Sequence, residues 1–176
     1  TRLVNNVLDF SRMERGEKTY NLARLDLSQT LKDVLDAQYP RLAGEGFAVE
    51  WIAPDGECSM KVDRDALEQI LLNLLDNVVK YAAEGKFIEV RVISSQGEVS
   101  FEVADHGPGI PTEQRERVFD TFHRVDDSLT ASQPGCGLGL GIARKLVEGM
   151  GGIISCEKNE PRGTRFRIVF PRVSNL

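Results

Sequence analysis

The segment RDALEQILLNLLDNVVKYAAEG, residues 64–85, leaves little choice of conformation. Leu67, Ile70, Leu71, Leu74, Leu75, Val78, Val79 and Ala82 recur at spacings of three and four, which predicts a helix over 64–83 with a full apolar stripe. Such a helix must be covered by a sheet or by other helices. A second stripe runs beside the first. Asn73, Asn77 and Lys80 are separated by four and then three residues, so they fall within about 60° of one another on the helix surface. On many helices such a line is only a solvated face. Next to a complete apolar stripe, two amides and an ammonium also suit a phosphate site: a neutral amide oxygen can ligate Mg²⁺, and a lysine can meet phosphate oxygens.

The rest of the chain supplies what this helix would pack on. Residues 2–14 carry Leu3, Val4, Val7, Leu8 and Phe10 on one helical stripe, the end of a longer amphipathic helix, and a polar linker follows over 15–20. A short strand is expected within 21–27. Ser28 is placed to cap a helix running to about Ala43, with Pro40 as a kink or early end. Phe47–Ala53 alternates as a strand does, and Cys58–Val62 follows after a turn. Phe87–Ser95 and Glu98–Ala104 read as a hairpin through Gln96 and Gly97. Residues 106–136 are loop-rich, Leu138–Met150 reads as a helix, and Gly151–Glu157 with Thr164–Phe170 reads as a final hairpin. Hairpins interrupted by helices predict an α+β two-layer sandwich, a mixed and mainly antiparallel sheet with helices on one face. The 176 residues suit one domain, 20–176, with a small appendage at 1–19.

Composition excludes other classes. With 22 Lys and Arg against 27 Asp and Glu, the net charge is −5 and no basic block exists, a poor match to general nucleic-acid binding. Backbone N–H groups can still build a local anion site. Three cysteines with no CxxC spacing argue against a disulfide framework or a zinc site and for a reducing, cytoplasmic setting. No apolar run is long enough to span a bilayer, so no membrane contact by this chain is expected, although the parent protein can be anchored. The chain opens at Thr1 in mid-pattern and reads as a fragment of something longer.

Two glycine-rich segments complete the pattern. In VADHGPGIP, residues 103–111, a strand ends at Asp105 and Gly107 and Gly109 flank Pro108. These are standard turn residues. They also suit a pocket floor, where glycines allow close approach and Asp105 accepts from an exocyclic amine. In PGCGLGLGIARKLVEGMGG, residues 134–152, Gly135, Gly137, Gly139 and Gly141 alternate straight into a helix. Bare N–H groups followed by a helix start form an anion site. The spacing is neither a P-loop nor a dinucleotide fingerprint. HRD and DFG kinase motifs and a GxSxG elbow are absent.

Together these segments resemble the catalytic, ATP-binding domain of sensor histidine kinases, within the GHKL superfamily that also holds gyrase-type topoisomerases, ninety-kilodalton heat-shock chaperones and mismatch-repair proteins. NLLDNVVKYA (73–82) resembles the N box, DHGPGIP (105–111) the first glycine box and VFDTFHRVD (118–126) the F box. GCGLGLGIARKLVEGMGG (135–152) resembles the second glycine box and GTRF (163–166) the last, all in family order. The opening LVNNVLDFSRMERG resembles the end of the dimerisation and phosphoacceptor hairpin.

The resemblance implies a GHKL (Bergerat) fold and Mg²⁺·ATP as ligand. It makes Asn77 the Mg²⁺ ligand with Asn73 beside it, Lys80 and Arg124 phosphate contacts, and Asn73, Lys80 and Arg124 the residues that serve phosphoryl transfer. Tyr81 would lie against the adenine and Asp105 would accept its amine. Gly107, Gly109 and Ile110 would let the nucleotide approach. Gly135, Cys136, Gly137, Leu138, Gly139 and Leu140 would form the lid and the phosphate-binding helix start, and Thr164 would close the adenine side. Phe119 and Phe122 are expected to pack as lid anchors. Cys136 stands where Thr is common and His106 where Asn is common. The phosphoacceptor is not matched, since His106 and His123 are followed by Gly and Arg. The implied activity is transfer of the ATP γ-phosphoryl to a histidine on the parent's hairpin, then to a response-regulator aspartate. The parent would be a homodimer and this chain a monomer. A conformational clamp that hydrolyses ATP without phosphorylating protein is the alternative. Against it stand the opening helix and Asn73, where those ATPases carry a Glu as base.

Overall fold

The structure, a computed structural model, describes residues 2–123 and 137–172. An N-terminal helix α1 (Arg2–Glu14) leads to a short strand β1 (Ala23–Asp26), helix α2 (Leu27–Gly44), and strands β2 (Ala48–Ile52) and β3 (Ser59–Val62). Helix α3 (Arg64–Tyr81) then precedes the hairpin β4 (Phe87–Ser94) and β5 (Glu98–Asp105). Two 3-10 turns, Thr112–Gln114 and Arg117–Phe119, come before α4 (Gly139–Gly149) and the hairpin β6 (Ile153–Lys158) and β7 (Thr164–Pro171). The main sheet has the order β2-β4-β5-β7-β6, and β1 pairs with β3 in a small second sheet. Only the β2–β4 pair is parallel among the described strands. This is the mixed, mainly antiparallel α+β sandwich that the hairpin pattern predicts.

Alternation decides which face is covered. Ile88, Val90 and Val92 of β4, Val99, Phe101 and Val103 of β5, and Phe166, Ile168 and Phe170 of β7 are buried under α2, α3 and α4. Each such side chain contributes about 1.5–3 kcal/mol through burial. The other face carries Arg91, Glu98, Glu102, Arg165 and Arg167. There Arg165 pairs with Glu102 at 3.5 Å and Arg167 with Glu98 at 3.4 Å.

Two helix ends differ from expectation. Asp26, not Ser28, caps α2: its carboxylate accepts from Gln29 N at 3.2 Å, while Ser28 Oγ is buried without a partner. The cap moves upstream because β1 ends at Asp26 and the helix starts at once, with Leu27 N donating to Cys58 O. Pro40 does not end the helix early. It sits exposed in the final turns, and the buried Leu42 holds the helix on the core as far as Gly44.

The start of the chain is tied down at one helix cap and one helix carbonyl. Asp63 caps α3 through Oδ1, which accepts from Ala66 N at 3.0 Å, and its Oδ2 accepts from Asn21 N at 2.7 Å. Tyr20 donates to Lys145 O at 3.4 Å, and a methyl group at Gly149 would overlap the Tyr20 hydroxyl. The predicted stripe of α1 divides. Phe10 and Met13 pack on the core and the Lys145 ammonium lies 5.5 Å above the Phe10 ring, whereas Val4, Val7 and Leu8 are exposed.

Candidate functional site

Asp105 is the last residue of β5, and there the β5–β7 ladder stops: the final paired residues are Ala104 and Arg165. Thr164 N, next in line, donates to the Asp105 side chain instead, at 3.1 Å on Oδ1. Gly107 N donates to the same oxygen at 2.8 Å. The residue is 4% exposed. Burial raises the carboxyl above its ordinary range, opposed by these two backbone hydrogen bonds and by nearby His106. The surroundings are tight. A Cβ at Gly107 would lie 2.8 Å from the Ala82 Cβ, and one at Gly163, at φ +112°, would overlap the Asp105 carbonyl. Glycine is the residue that fits both places. Gly109 also has positive φ, and a Cβ there would lie 3.2 Å from Gly163 O.

The other end of the site lies where α3 meets α4. Asn73, 5% exposed, has an Nδ2 with no hydrogen-bond partner among the described residues. A buried amide donor left unmade costs about 1–3 kcal/mol, so this one calls for an explanation. The α4 start supplies it. A Cβ on Gly139 would lie 3.9 Å from Asn73 Cγ, and α4 has no side-chain cap at Leu138. An uncapped helix start holds N–H groups without intrahelical partners and carries positive potential. Beneath it, Gly141 faces Phe119 O, where a Cβ would come within 3.1 Å. Asn77, Lys80 and Tyr81 run from Asn73 toward Ala82 and are partly or largely solvent-accessible. That is nine residues of helix, roughly 13 Å. One polar stripe therefore joins the Asp105 end to the α4 end. Among the described residues no group of His, Cys, Asp and Glu could hold a metal ion. A cation here would rest on amide oxygens and on a phosphate-bearing ligand, which suits a hard divalent ion.

The family resemblance assigns Asn73 and Gly139 to the phosphates and Asp105, Gly107 and Thr164 to the adenine; the structure places Asn73 against Gly139, and Asp105 against Gly107 and Thr164. Leu138 is buried, so its side chain serves the core and only its backbone faces the helix start. Ile110 is partly buried against the core, and its carbonyl accepts from Arg115 Nε at 3.0 Å. Phe119 is an anchor, buried edge-on to Phe166 with centroids 6.2 Å apart. Phe122 is not: it is 68% exposed at φ +64°, its N donating to Gly137 O. Arg124, Gly135 and Cys136 lie outside the described residues. Two residues, Asn159 and Arg162, escaped the sequence reading, and a third, Gly163, was read only as the first residue of the last glycine box. Asn159 Nδ2 donates to Asp105 O at 2.9 Å, Arg162 Nε donates to Gly107 O at 2.9 Å, and Gly163 sits against the Asp105 backbone. The turn residues in KNEPRG were the available signal.

Residues 62–174 match the family described as Histidine kinase-, DNA gyrase B-, and HSP90-like ATPase. The chain is 29% identical over 173 residues to sensor histidine kinase YcbM of Bacillus subtilis (strain 168), covering 98% of this chain and 56% of that protein. It is 42% identical over 112 residues to signal transduction histidine-protein kinase ArlS of Staphylococcus haemolyticus (strain JCSC1435), covering 64% of this chain and 25% of that protein. The chain thus spans about half of one curated relative and a quarter of the other. Among solved structures, full-length ShkA in complex with AMPPNP matches with TM-score 0.81 and 31% identity over 96% of this chain and 35% of that one. The catalytic domain of histidine kinase ThkA matches in fold, with TM-score 0.74 and 23% identity, over 86% of this chain and 97% of that one.

Proposed function

Because this chain belongs to the histidine kinase-, DNA gyrase B- and HSP90-like ATPase family, we propose that it is the ATP-binding catalytic part of a two-component sensor histidine kinase. In this reading it delivers the ATP γ-phosphoryl to a histidine on the parent's helical hairpin, and a response-regulator aspartate receives it next. Residues 1–19 are the end of that hairpin with its linker, and 20–176 form the catalytic domain. The names of the relatives support this reading, since both curated proteins above are histidine kinases. A complex of histidine kinase ThkA with the response regulator TrrA, matched at TM-score 0.76 and 21% identity, makes a regulator the natural partner class.

The observation that carries the proposal is the buried Asn73 Nδ2, unpartnered among the described residues, beside an α4 start that Leu138 does not cap with its side chain. Such a pair accepts polyphosphate without a basic patch. Asp105 holds the base end. Gly107 N and Thr164 N both use Oδ1, which leaves Oδ2 to accept the adenine 6-amine. Lys80 and Arg124 neutralise phosphate charge, and Tyr81 lies against the base. Asn77, with Asn73 beside it, would hold Mg²⁺, which when bound spreads the charge of the transferring group. The chain's own part in transfer is positioning and charge neutralisation.

The test has two stages. Titration calorimetry on this chain gives Mg²⁺·ATP binding. Labelled ATP is then supplied with and without a separate helical hairpin that bears an acceptor histidine. Acid-labile label appearing on the hairpin, and none on the chain alone, is the expected result. ATP hydrolysis with no label on the hairpin would favour the conformational clamp, and label on His106 or His123 would contradict the assignment.

A further inference from the structure

Asp105 is held from the β6–β7 turn, chiefly by one buried side chain, Asn159. Asn159 follows the end of β6 and is 4% exposed. Its Nδ2 donates to the Asp105 main-chain oxygen at 2.9 Å, and its Oδ1 accepts from Arg165 Nη2 at 3.0 Å. These partners fix the amide's orientation, since a flip would set donor against donor and acceptor against acceptor. Arg165 is held in turn by Glu102 at 3.5 Å. Asn159 N donates to Gly163 O at 3.0 Å, which closes the turn on itself and seats Gly163 against the Asp105 carbonyl.

This arrangement replaces the last rung of the sheet. Up to Ala104 the β5–β7 ladder holds the backbone. At Asp105 the Thr164 N–H is diverted to the carboxylate, so the strand no longer supplies a donor for the Asp105 carbonyl. Asn159 supplies it from the side. The carboxylate can take a backbone donor from β7 because the carbonyl is satisfied elsewhere. Without the Asn159 amide, that carbonyl is a buried acceptor with no partner. The last residue of β5 then gains by turning its carbonyl back toward the Thr164 N–H, and the carboxylate turns with it.

We infer that Asn159 is a positioning residue for Asp105, and that selectivity for the 6-amino group of adenine depends on it. The inference rests on the nucleotide-binding reading above and names the turn that aims its base-reading group. Because Asn159 acts through Asp105, it matters for a ligand that bears the amine and not for one that lacks it.

The experiment compares ATP with purine riboside triphosphate, which has no 6-amine, on the wild-type chain and on Asn159→Ala. Titration calorimetry gives both affinities, and thermal unfolding confirms that the variant is folded. A good hydrogen bond to a charged group is worth about tenfold or more in affinity, so wild type should prefer ATP by about that factor. In Asn159→Ala the ATP affinity should fall by about tenfold while that of the analogue holds within about twofold, which collapses the preference. Asn159→Asp, nearly isosteric and still able to accept from Arg165, keeps the question open to test should the alanine variant not fold; it should lose the preference likewise. If either folded variant keeps the wild-type preference, or weakens both ligands equally, Asn159 is structural only and the inference is overturned. If the wild-type chain itself shows no preference for ATP, it is the Asp105 assignment that fails, and the inference with it.

Discussion

The two ends of the site are built on opposite plans. At the base end one carboxylate oxygen is left for the ligand and the groups around it meet other parts of the chain: Asp105 takes two backbone donors on Oδ1 and the Asn159 amide on its carbonyl, with Arg162 on Gly107. At the phosphate end, among the described residues, the polar groups are left open: Asn73 Nδ2 has no partner and Leu138 gives α4 no side-chain cap. The first plan suits a rigid planar base read by one carboxylate, where error in aim is costly. The second suits a charged ligand that supplies its own acceptors. It follows that the base end should stabilise the fold and that the phosphate end should weaken it until a ligand arrives. Substitutions that break the backbone packing of the base end should therefore cost stability, whereas removing the open donor of the phosphate end should not.

The largest effect is expected at Gly163. An alanine there would adopt a φ that side chains rarely take, with its methyl overlapping the Asp105 carbonyl. Gly163→Ala should cost at least about 3 kcal/mol and remove ATP binding, as measured by urea unfolding and calorimetry. A variant as stable as wild type would show that the turn is free to move, and the contrast between the ends would fail.

Asp105→Asn comes next, and it separates stability from binding at the base end itself. The Asn oxygen can still take both backbone donors, but its other atom is a donor that opposes the adenine amine. ATP affinity should fall by about tenfold or more. Stability should respond differently with pH. The folded carboxyl sits above its ordinary value because of burial. Its contribution to stability is therefore fully present below the ordinary value of 3.8 and is lost as pH rises through the folded value. At neutral pH wild type carries the full penalty of a buried charge and the variant carries none. Asp105→Asn should thus be at least as stable as wild type at pH 7 and should lack this acid-range slope. Parallel unfolding curves for the two chains from pH 3 to pH 7 would contradict the burial argument.

A smaller change, of the opposite functional sense, is expected at Asn73. Asn73→Leu removes an unpartnered donor while keeping most of its volume, so the ligand-free chain should gain about 1 kcal/mol. Phosphoryl transfer to an added hairpin should fall sharply. Loss of stability in Asn73→Leu would mean that the amide has a partner after all, and the phosphate end would no longer differ from the base end.

How much of this was legible in the sequence follows the same division. The α3 stripe, the hairpins and the sheet class could be read because periodicity reports burial directly. Asn73 and the glycine run into α4 could be read as two separate local patterns, a helical stripe and a helix start, and the family resemblance assigned both to the phosphates; their contact came from the fold. Asn159 could not be read. Its partner, Asp105, lies 54 positions away in the chain, and the contact exists only because β6 and β7 fold back along β5. The cap of α2 was misplaced by two residues for a related reason. Ser28 and Asp26 are equally good caps locally, and the choice is made by where β1 pairs with β3.

The smallest effect is expected at Thr164, and it tests which part of that residue matters. The family resemblance assigns Thr164 to closing the adenine side of the pocket, which suggests a role for its hydroxyl. In the structure its backbone N–H already holds Asp105 Oδ1 at 3.1 Å, and the residue is buried at the start of β7. Thr164→Val keeps that N–H, the β-branched shape and the strand preference, and it removes only the hydroxyl. If the backbone does most of the work, ATP affinity should fall by no more than about fivefold, the share of one neutral hydrogen bond. Unfolding stability should stay within about 1 kcal/mol of wild type. A drop in affinity as large as that of Asp105→Asn would make the hydroxyl an equal partner in reading the base. The base end would then depend on a side chain that can rotate, and its contrast with the open phosphate end would narrow.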